Sequence, residues 1–300
     1  MPIHQLCIVG LGMMGGAIGA AARRTGSATH VIGVADSLDT IEHARAQGAV
    51  DTATLDLREG VHNADLVILC VPVRAIFDAT SAVLPACRED AILTDIGSSK
   101  ALIARQVEGL IHKLKSPVRF VGSHPVTGSE KKGIAAAGEV KLTDAICVIT
   151  PTPHTDPEAY HRVDDFWKNL GMKTIRLSPD EHDSVLARSS HLLHLVAGAL
   201  VAVQTDRSMN ISGTGLRDMT RLAGSDSAMW VDIAEQNSHE LSKALKEFGQ
   251  EVLQLAQEVE MLGARPGEGV ETARERLFRF LADARQRHDK RFATTTQNDE

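Results

Sequence analysis

Leu6-Cys7-Ile8-Val9-Gly10-Leu11-Gly12-Met13-Met14-Gly15-Gly16-Ala17-Ile18-Gly19-Ala20-Ala21 is the stretch that decides the fold. Leu6 to Val9 is a short, fully apolar strand. Gly16 to Arg24 is rich in small residues and has the texture of a helix that packs closely on a sheet. Between them lies G-x-G-x-x-G. Gly10 permits the tight turn, Gly12 lets the backbone approach a pyrophosphate, and Gly15 lets helix and strand pack together. The free N–H groups and positive dipole end of the helix face the same phosphates. Gly10, Leu11, Gly12, Met13, Met14 and Gly15 are therefore candidates to hold a dinucleotide.

The next segment strengthens this. His30 to Ala35 is expected to be a second strand, with Asp36 at its end. An acid ~20 residues past the glycines accepts the ribose hydroxyls of NAD and repels a 2′-phosphate. Ser37-Leu38-Asp39 follows without an arginine, so NAD is expected rather than NADP. Asp36 could also cap a helix expected from Leu38 to Gly48. Further strands are expected at 64–73, 91–96, 145–150 and 173–177, with helical segments between them. That alternation predicts an α/β, Rossmann-type, doubly wound and mostly parallel sheet over residues 1–178. Val71 and Pro72, at the end of the 64–73 strand, are candidates for the nicotinamide side of the cofactor site. Ser98 and Ser99 are either caps of the next helix or hydroxyls that face the cleft.

An apolar run, Val118 to Val121, leads into Gly122-Ser123-His124-Pro125-Val126-Thr127-Gly128-Ser129-Glu130-Lys131. Pro125 fixes its own φ and keeps His124 out of helical geometry. The run predicts a strand that ends at a stiff link, with His124 at the rim of the sheet where ligands bind. An imidazole there is a candidate base.

After Ser178-Pro179-Asp180 only helical periodicity remains, which predicts an all-α domain over 179–289 and a polar, disordered tail at 290–300. A long helix is expected from Asp180. Its His191 and His194 are three apart and share a face, and its run Leu195 to Val203 is apolar enough to be buried almost all round. Asp218 and Arg221 are also three apart and can pair on one face. Helices are expected at 228–262 and 270–287. Long apolar faces in about 120 residues predict a homodimer through the helical domain.

Composition excludes several classes. The formal net charge is −7, with no basic stripe, and aromatics are only 3%. Neither nucleic-acid electrostatics nor stacking platforms are supported. The four cysteines stand apart, three of them within apolar runs, as in a reducing compartment. The chain starts directly on a strand, and no apolar run approaches the ~18–20 residues of a membrane span. A cytoplasmic protein with no membrane partner is expected.

These stretches resemble, in order and over nearly the whole chain, the prephenate/arogenate (cyclohexadienyl) dehydrogenase family of tyrosine biosynthesis. The matching segments are Gly10 to Gly15, Asp95-Ile96-Gly97-Ser98-Ser99-Lys100, Gly122 to Lys131, His182-Asp183, Ser190-His191-Leu192-Leu193-His194 and Arg217-Asp218-Met219-Thr220-Arg221-Leu222-Ala223. Leu193 and Ala228 stand where the family commonly has proline. The resemblance implies NAD-dependent oxidative decarboxylation of a cyclohexadienol that carries two carboxylates. His124 would take the hydroxyl proton, and Ser98 would orient the imidazole or the substrate hydroxyl. Arg221, held by Asp218, would grip a carboxylate, while His191 and His194 would line the pocket with Ser129 and Trp230. No metal and no fused regulatory or mutase domain is expected. The resemblance leaves open prephenate, arogenate or an amino-substituted prephenate as substrate. The rival readings are a 3-hydroxyacid dehydrogenase or imine reductase, a metal protein using His182, His191 and His194, and a non-catalytic NAD-binding regulator.

Overall fold

The computed structural model describes residues 3–127, 131–264 and 267–292. The chain forms two compact units, Met1–Leu241 and Ser242–Glu300.

The first unit begins with β1 (Ile3–Val9), α1 (Met13–Thr25), β2 (Ala28–Val34), α2 (Leu38–Ala46) and β3 (Thr52–Thr54). Next come α3 (Leu57–Val61), β4 (Leu66–Leu69), α4 (Ile76–Val83), β5 (Ile92–Asp95), α5 (Ala101–Leu114) and β6 (Arg119–Phe120). The six strands form one parallel sheet in the order β3-β2-β1-β4-β5-β6. Strand order reverses between β1 and β4, and ligands bind at the carboxyl ends of strands at such a reversal. Successive residues alternate between the two faces. Leu6, Ile8, Leu66 and Ile68 join α1 in one core, and Cys7, Val9, Val67 and Leu69 join residues of α4 and α5 in the other. Helices thus cover both faces, as expected of a doubly wound sheet.

The expected single sheet needs a correction. The later strands form a second, three-stranded sheet of β7 (Gly122–Val126), β8 (Ile146–Thr150) and β9 (Lys173–Arg176), with α6 (Pro157–Asn169) between the last two. β7 runs antiparallel to β8, and β8 runs parallel to β9. The Gly-Ser-His-Pro stretch is therefore itself a strand, with His124 opposite Val148. Pro125 is tolerated because β7 is an edge. Gly122 is required because a Cβ there would lie 2.5 Å from Thr150 Oγ1.

The helices start where expected, with α7 (Pro179–Leu186) following β9. Ser178 and Glu181 form a capping box at its start. A π-helical turn, Ala187–His191, joins α7 to α8 (Leu192–Ala202). Three helices complete this part, α9 (Asp206–Asn210), α10 (Thr214–Thr220) and α11 (Ser227–Gln236). They belong to the first compact unit, so a change of secondary structure at 178/179 is not a break in packing. Asp183 and His182 of α7, and Gln236 of α11, all hydrogen bond to residues of the sheet region.

Two further expectations change. The 195–203 run is not buried all round: within α8 only Ala197 is buried, and Val203, Ile211, Met219 and Val231 are largely exposed. Their apolar surface is uncovered in a single chain. Nor is it true that no segment is long and apolar enough for a membrane, because the π turn joins α7 and α8 into one 24-residue helix, Pro179–Ala202, that meets both criteria. Its polar residues His182, Asp183 and His191 are instead bound to partners inside the first unit.

The expected 228–262 helix is broken at Asn237 into α11 and α12 (Ser238–Leu262). In the second unit α13 (Glu268–Phe292) follows, and Glu258 accepts from Arg276 at 2.9 Å. α13 extends into the expected tail as far as Phe292; residues 293–300 lie outside the described residues.

Candidate active site

The glycine loop connects β1 to α1. Gly10 has φ +100°, and its N–H donates to Val34 O at 2.9 Å. A Cβ on Gly10 would lie 2.5 Å from Cys70 O and 3.2 Å from Val71 Cγ1, which puts Val71 against the loop. Gly12 is the N-cap of α1, makes no side-chain cap, and faces open space, with nothing within 4 Å of a built Cβ. The backbone at Gly12 is therefore open to close approach from outside the loop. Leu11 contributes backbone only: its side chain is buried and packs where a Cβ on Gly33 would stand. Met13 and Met14 form the first turn of α1. Pro72 lies past the end of β4 and caps a short 3-10 turn.

Two glycines give a contrasting pair of outcomes. Gly15→Ala would put a Cβ 2.0 Å from Gly10 O, so a loss of ~1–3 kcal/mol or more is expected in thermal unfolding. Gly12→Ala is expected to leave Tm unchanged and to weaken NAD binding about tenfold or more, which is ~1.4 kcal/mol. Calorimetry measures both.

Asp36 is exposed at the end of β2 and makes no hydrogen bond to a described residue. The cap of α2 is Ser37, which accepts from Thr40 N at 3.2 Å. The capping alternative for Asp36 therefore does not hold.

The second half of the site is built around His124. Ser123, its neighbour on β7, donates to Asp95 O at 2.7 Å and contacts Thr94 Oγ1 at 2.8 Å. These bonds stitch β7 to the carboxyl end of β5. His124 points the other way and is half-buried, with Nδ1 2.9 Å from His182 Nε2. His182 is fully buried, and its Nδ1 lies 2.8 Å from Asp183 Oδ1. Asp183 also accepts from Lys100 N at 2.7 Å and Ala101 N at 2.9 Å. Neither Ser98 nor Ser99 therefore caps α5; α7 supplies the cap through Asp183. Ser99 donates instead to Gln236 Oε1 at 2.9 Å. Ser98 is half-buried, and its hydroxyl makes no hydrogen bond to a described residue, so it does not orient His124, whose Nδ1 meets His182.

Lys100 is buried. Its Nζ pairs with Asp95 and donates to Ser123 O at 2.8 Å. Burial first, and then His182, Lys100 and His191, hold the His124 imidazole well below the ordinary histidine range. Burial also lowers His182, against the opposing pull of Asp183.

His191 lies in the π turn. Nine residues along an unbroken α-helix would put it roughly opposite His182, at 3.6 residues per turn. The π turn absorbs one residue and returns His191 toward the same side. Asn237 then clamps the two turns, donating from Nδ2 to Asp183 O at 2.8 Å and to His191 Nδ1 at 3.2 Å. His191 Nε2 is buried and has no hydrogen-bond partner among the described residues. Burial pushes this ring down to about 4, with Asp183 and the nearby Ser98 backbone acting in the opposite direction. His194 stacks on Trp230, with centroids 3.5 Å apart, and His191 meets the same indole edge-on at 5.9 Å. His194 is lowered by burial, and the charge of Arg221 adds to that, so Arg221 belongs to this cluster.

The expected Asp218–Arg221 pair is a correction. α10 ends at Thr220, and Arg221 opens a 3-10 turn, so the i,i+3 geometry is lost between them. Asp218 is exposed and stands 4.0 Å from Arg217 instead. Ser129 lies outside the described residues. Among the described residues, no group of three His, Cys, Asp or Glu side chains could hold a metal ion.

Residues 18–176 match the model for the prephenate dehydrogenase nucleotide-binding domain, and residues 178–283 match that for the prephenate dehydrogenase dimerization domain. The chain belongs to the prephenate dehydrogenase family. A prephenate dehydrogenase of Bacillus subtilis is 30% identical over 292 residues, covering 95% of this chain and 75% of that protein. The cyclohexadienyl dehydrogenase of Zymomonas mobilis is 33% identical over 254 residues, covering 81% and 84%. The crystal structure of the prephenate dehydrogenase from A. aeolicus, in complex with hydroxyphenyl propionate and NAD+, superposes with a TM-score of 0.84. It is 28% identical and covers 97% of this chain and 99% of its own.

Lys100 and His182-Asp183 entered the sequence reading as parts of stretches that resemble the family, with no role in the site beyond His182 in the metal alternative, and Gln236 and Asn237 did not enter it. The signal available was the His182-Asp183 dipeptide, whose use depends on a partner 58 residues away.

Proposed function

We propose that this chain carries out the oxidative decarboxylation of prephenate, arogenate or both in tyrosine biosynthesis, with NAD as oxidant and His124 as the base. Family membership supports the reaction. The observation that supports the base is the placement of His124 in one cluster with His182, His191 and Lys100, at the carboxyl end of β5 and low enough in proton affinity to be neutral at pH 7.

NAD, when bound, supplies the hydride acceptor. The Gly10–Gly15 loop and the first turn of α1 hold its pyrophosphate, and Asp36 binds the ribose hydroxyls. Val71 and Pro72 line the nicotinamide side. His124 takes the hydroxyl proton as the ring carbinol becomes a carbonyl. The ring then loses carbon dioxide and becomes aromatic, which makes the reaction effectively irreversible. Ser98 hydrogen bonds the substrate hydroxyl. Arg221 grips a carboxylate with two hydrogen bonds, and the His194–Trp230 stack with His191 walls the ring.

We assign residues 1–178 to the nucleotide domain and 179–289 to the substrate and dimerization domain. A homodimer covers the exposed apolar residues of α8–α11, and sedimentation of a concentration-independent monomer would remove it. The compartment is the cytoplasm, as the unpaired cysteines suggest.

Steady-state NADH formation with prephenate, arogenate, an amino-substituted prephenate and a 3-hydroxyacid tests the reading. Turnover of a cyclohexadienol supports it, and the ratios name the substrate. Turnover of the 3-hydroxyacid alone, or of none, overturns it.

A further inference from the structure

We propose that Asp183 and His182 act as positioning residues that fix the tautomer of His124, so that its Nε2 carries the lone pair that faces the substrate. The inference rests on His124 being the base. The Asp183 carboxylate receives three donors: Lys100 N, Ala101 N and His182 Nδ1. Two of these are backbone N–H groups, which only donate. A carboxylate so placed is an acceptor throughout, so His182 carries its proton on Nδ1. The neutral ring then has its lone pair on Nε2, the atom 2.9 Å from His124 Nδ1. His124 must donate there, and its own lone pair is left on Nε2. Free histidine has no such constraint; here the order of donors, starting at the α5 N-terminus, settles it.

Asn237 fixes the neighbouring ring in the opposite sense. Its amide donates to Asp183 O, which sets its orientation, and the same nitrogen faces His191 Nδ1. His191 Nδ1 is thus the acceptor, and its buried, unpartnered Nε2 carries the proton. His124 Nε2 is therefore the acceptor of the site, while His191 Nε2–H is buried in its wall near the Ser98 backbone.

The proton balance follows. The substrate O–H bond breaks, its electron pair forms the carbonyl, and the proton bonds to His124 Nε2. The carbinol C–H pair leaves as hydride, so the substrate is oxidised and NAD is reduced. The His124 Nδ1–H shifts toward His182 Nε2, and the positive charge comes to rest beside the Asp183 carboxylate. When loss of carbon dioxide sends the C–C electron pair into the ring and leaves a phenolate, the same bonds reverse and Nε2 returns the proton to that oxygen, so the product leaves as a phenol and His124 is again neutral. Other charged groups also face His124. Lys100 opposes the cation, Asp95 pairs Lys100, and His191 is neutral at pH 7. Asp183 is the negative group that reaches His124 through a hydrogen-bonded ring.

The direct test is nitrogen-15 NMR of histidine-labelled wild-type protein at pH 7, with His124 assigned by difference from His124→Asn. His124 is expected as the Nδ1–H tautomer; observing it as Nε2–H overturns the proposal whether or not the substrate reading stands. The kinetic test is His182→Leu beside His182→Gln, whose amide oxygen can accept from His124 Nδ1. His182→Leu is expected to lose about 10²-fold in kcat with KM little changed, and His182→Gln to recover at least tenfold of it. The acid limb of the pH profile should move to lower pH in His182→Leu, since protonated His124 loses the acceptor that leads its charge to Asp183 while the site stays buried. Wild-type turnover with equal rates and unchanged pH profiles in both variants overturns the relay and leaves His124 as base. Wild-type failure on every cyclohexadienol overturns the substrate reading, and the tautomer then decides the relay alone. If His182→Leu does not fold, His182→Gln and the NMR result still decide it.

Discussion

His124→Asn is expected to lower kcat by roughly 10²–10⁴-fold, the range for removal of a general base, with NAD affinity and Tm within error of wild type. The asparagine is close to isosteric and can still donate toward His182, but it cannot take a proton at pH 7. β7 is held by Ser123 to Asp95 O and Thr94, and by β8, none of which needs the imidazole. The cofactor loop between β1 and α1 is likewise untouched. In the wild type, burial and the neighbours His182, Lys100 and His191 keep the ring neutral below the usual histidine pKa of ~6.5. Activity should therefore persist on the acid side of neutrality and fall only as pH drops through that lowered value. A loss of less than tenfold in the variant, with NAD still bound, would contradict the assignment.

The second large effect is on stability. Lys100→Met is expected to cost about 3–5 kcal/mol, because removing one partner leaves the other charge buried and unpaired. Lys100 and Asp95 are both essentially inaccessible to solvent, and Lys100 Nζ also satisfies Ser123 O. Asp95 cannot be relieved by water, and one of its oxygens already lacks a hydrogen bond. Adding Asp95→Asn to Lys100→Met removes the stranded charge while keeping an acceptor for Gly97 N, and should restore a large part of the loss. Denaturant unfolding measures both. A single variant within 1 kcal/mol of wild type, roughly the worth of an exposed pair, would contradict the burial argument.

What was legible in the sequence was local. The Gly10–Gly15 loop, the acid at Asp36 and the change to helical texture after Ser178 each depend on neighbours within a few residues. The His191/His194 spacing put both rings on one face for the same reason, and Trp230, which both rings meet, came only with the resemblance. What was not legible depended on distant partners. Gly122–Val126 did not read as a strand because Pro125 breaks the pattern, and only an edge position makes it tolerable. The serines after Asp95 have the chemistry of caps, yet Asp183 arrives from 83 residues away and takes that role. The π turn has no sequence signature, and Asn237 sits inside an amphipathic pattern that continues through it. Asp218 and Arg221 have the spacing of a helical pair, but the helix stops between them.

Oxidative decarboxylation releases hydride and carbon dioxide from the same substrate molecule. The most direct measurement is NADH and carbon dioxide counted in one reaction, with the preferred cyclohexadienol and limiting enzyme. Equal amounts, both lost in His124→Asn, are the expected result. NADH without carbon dioxide, or neither from any cyclohexadienol despite bound NAD, would contradict it.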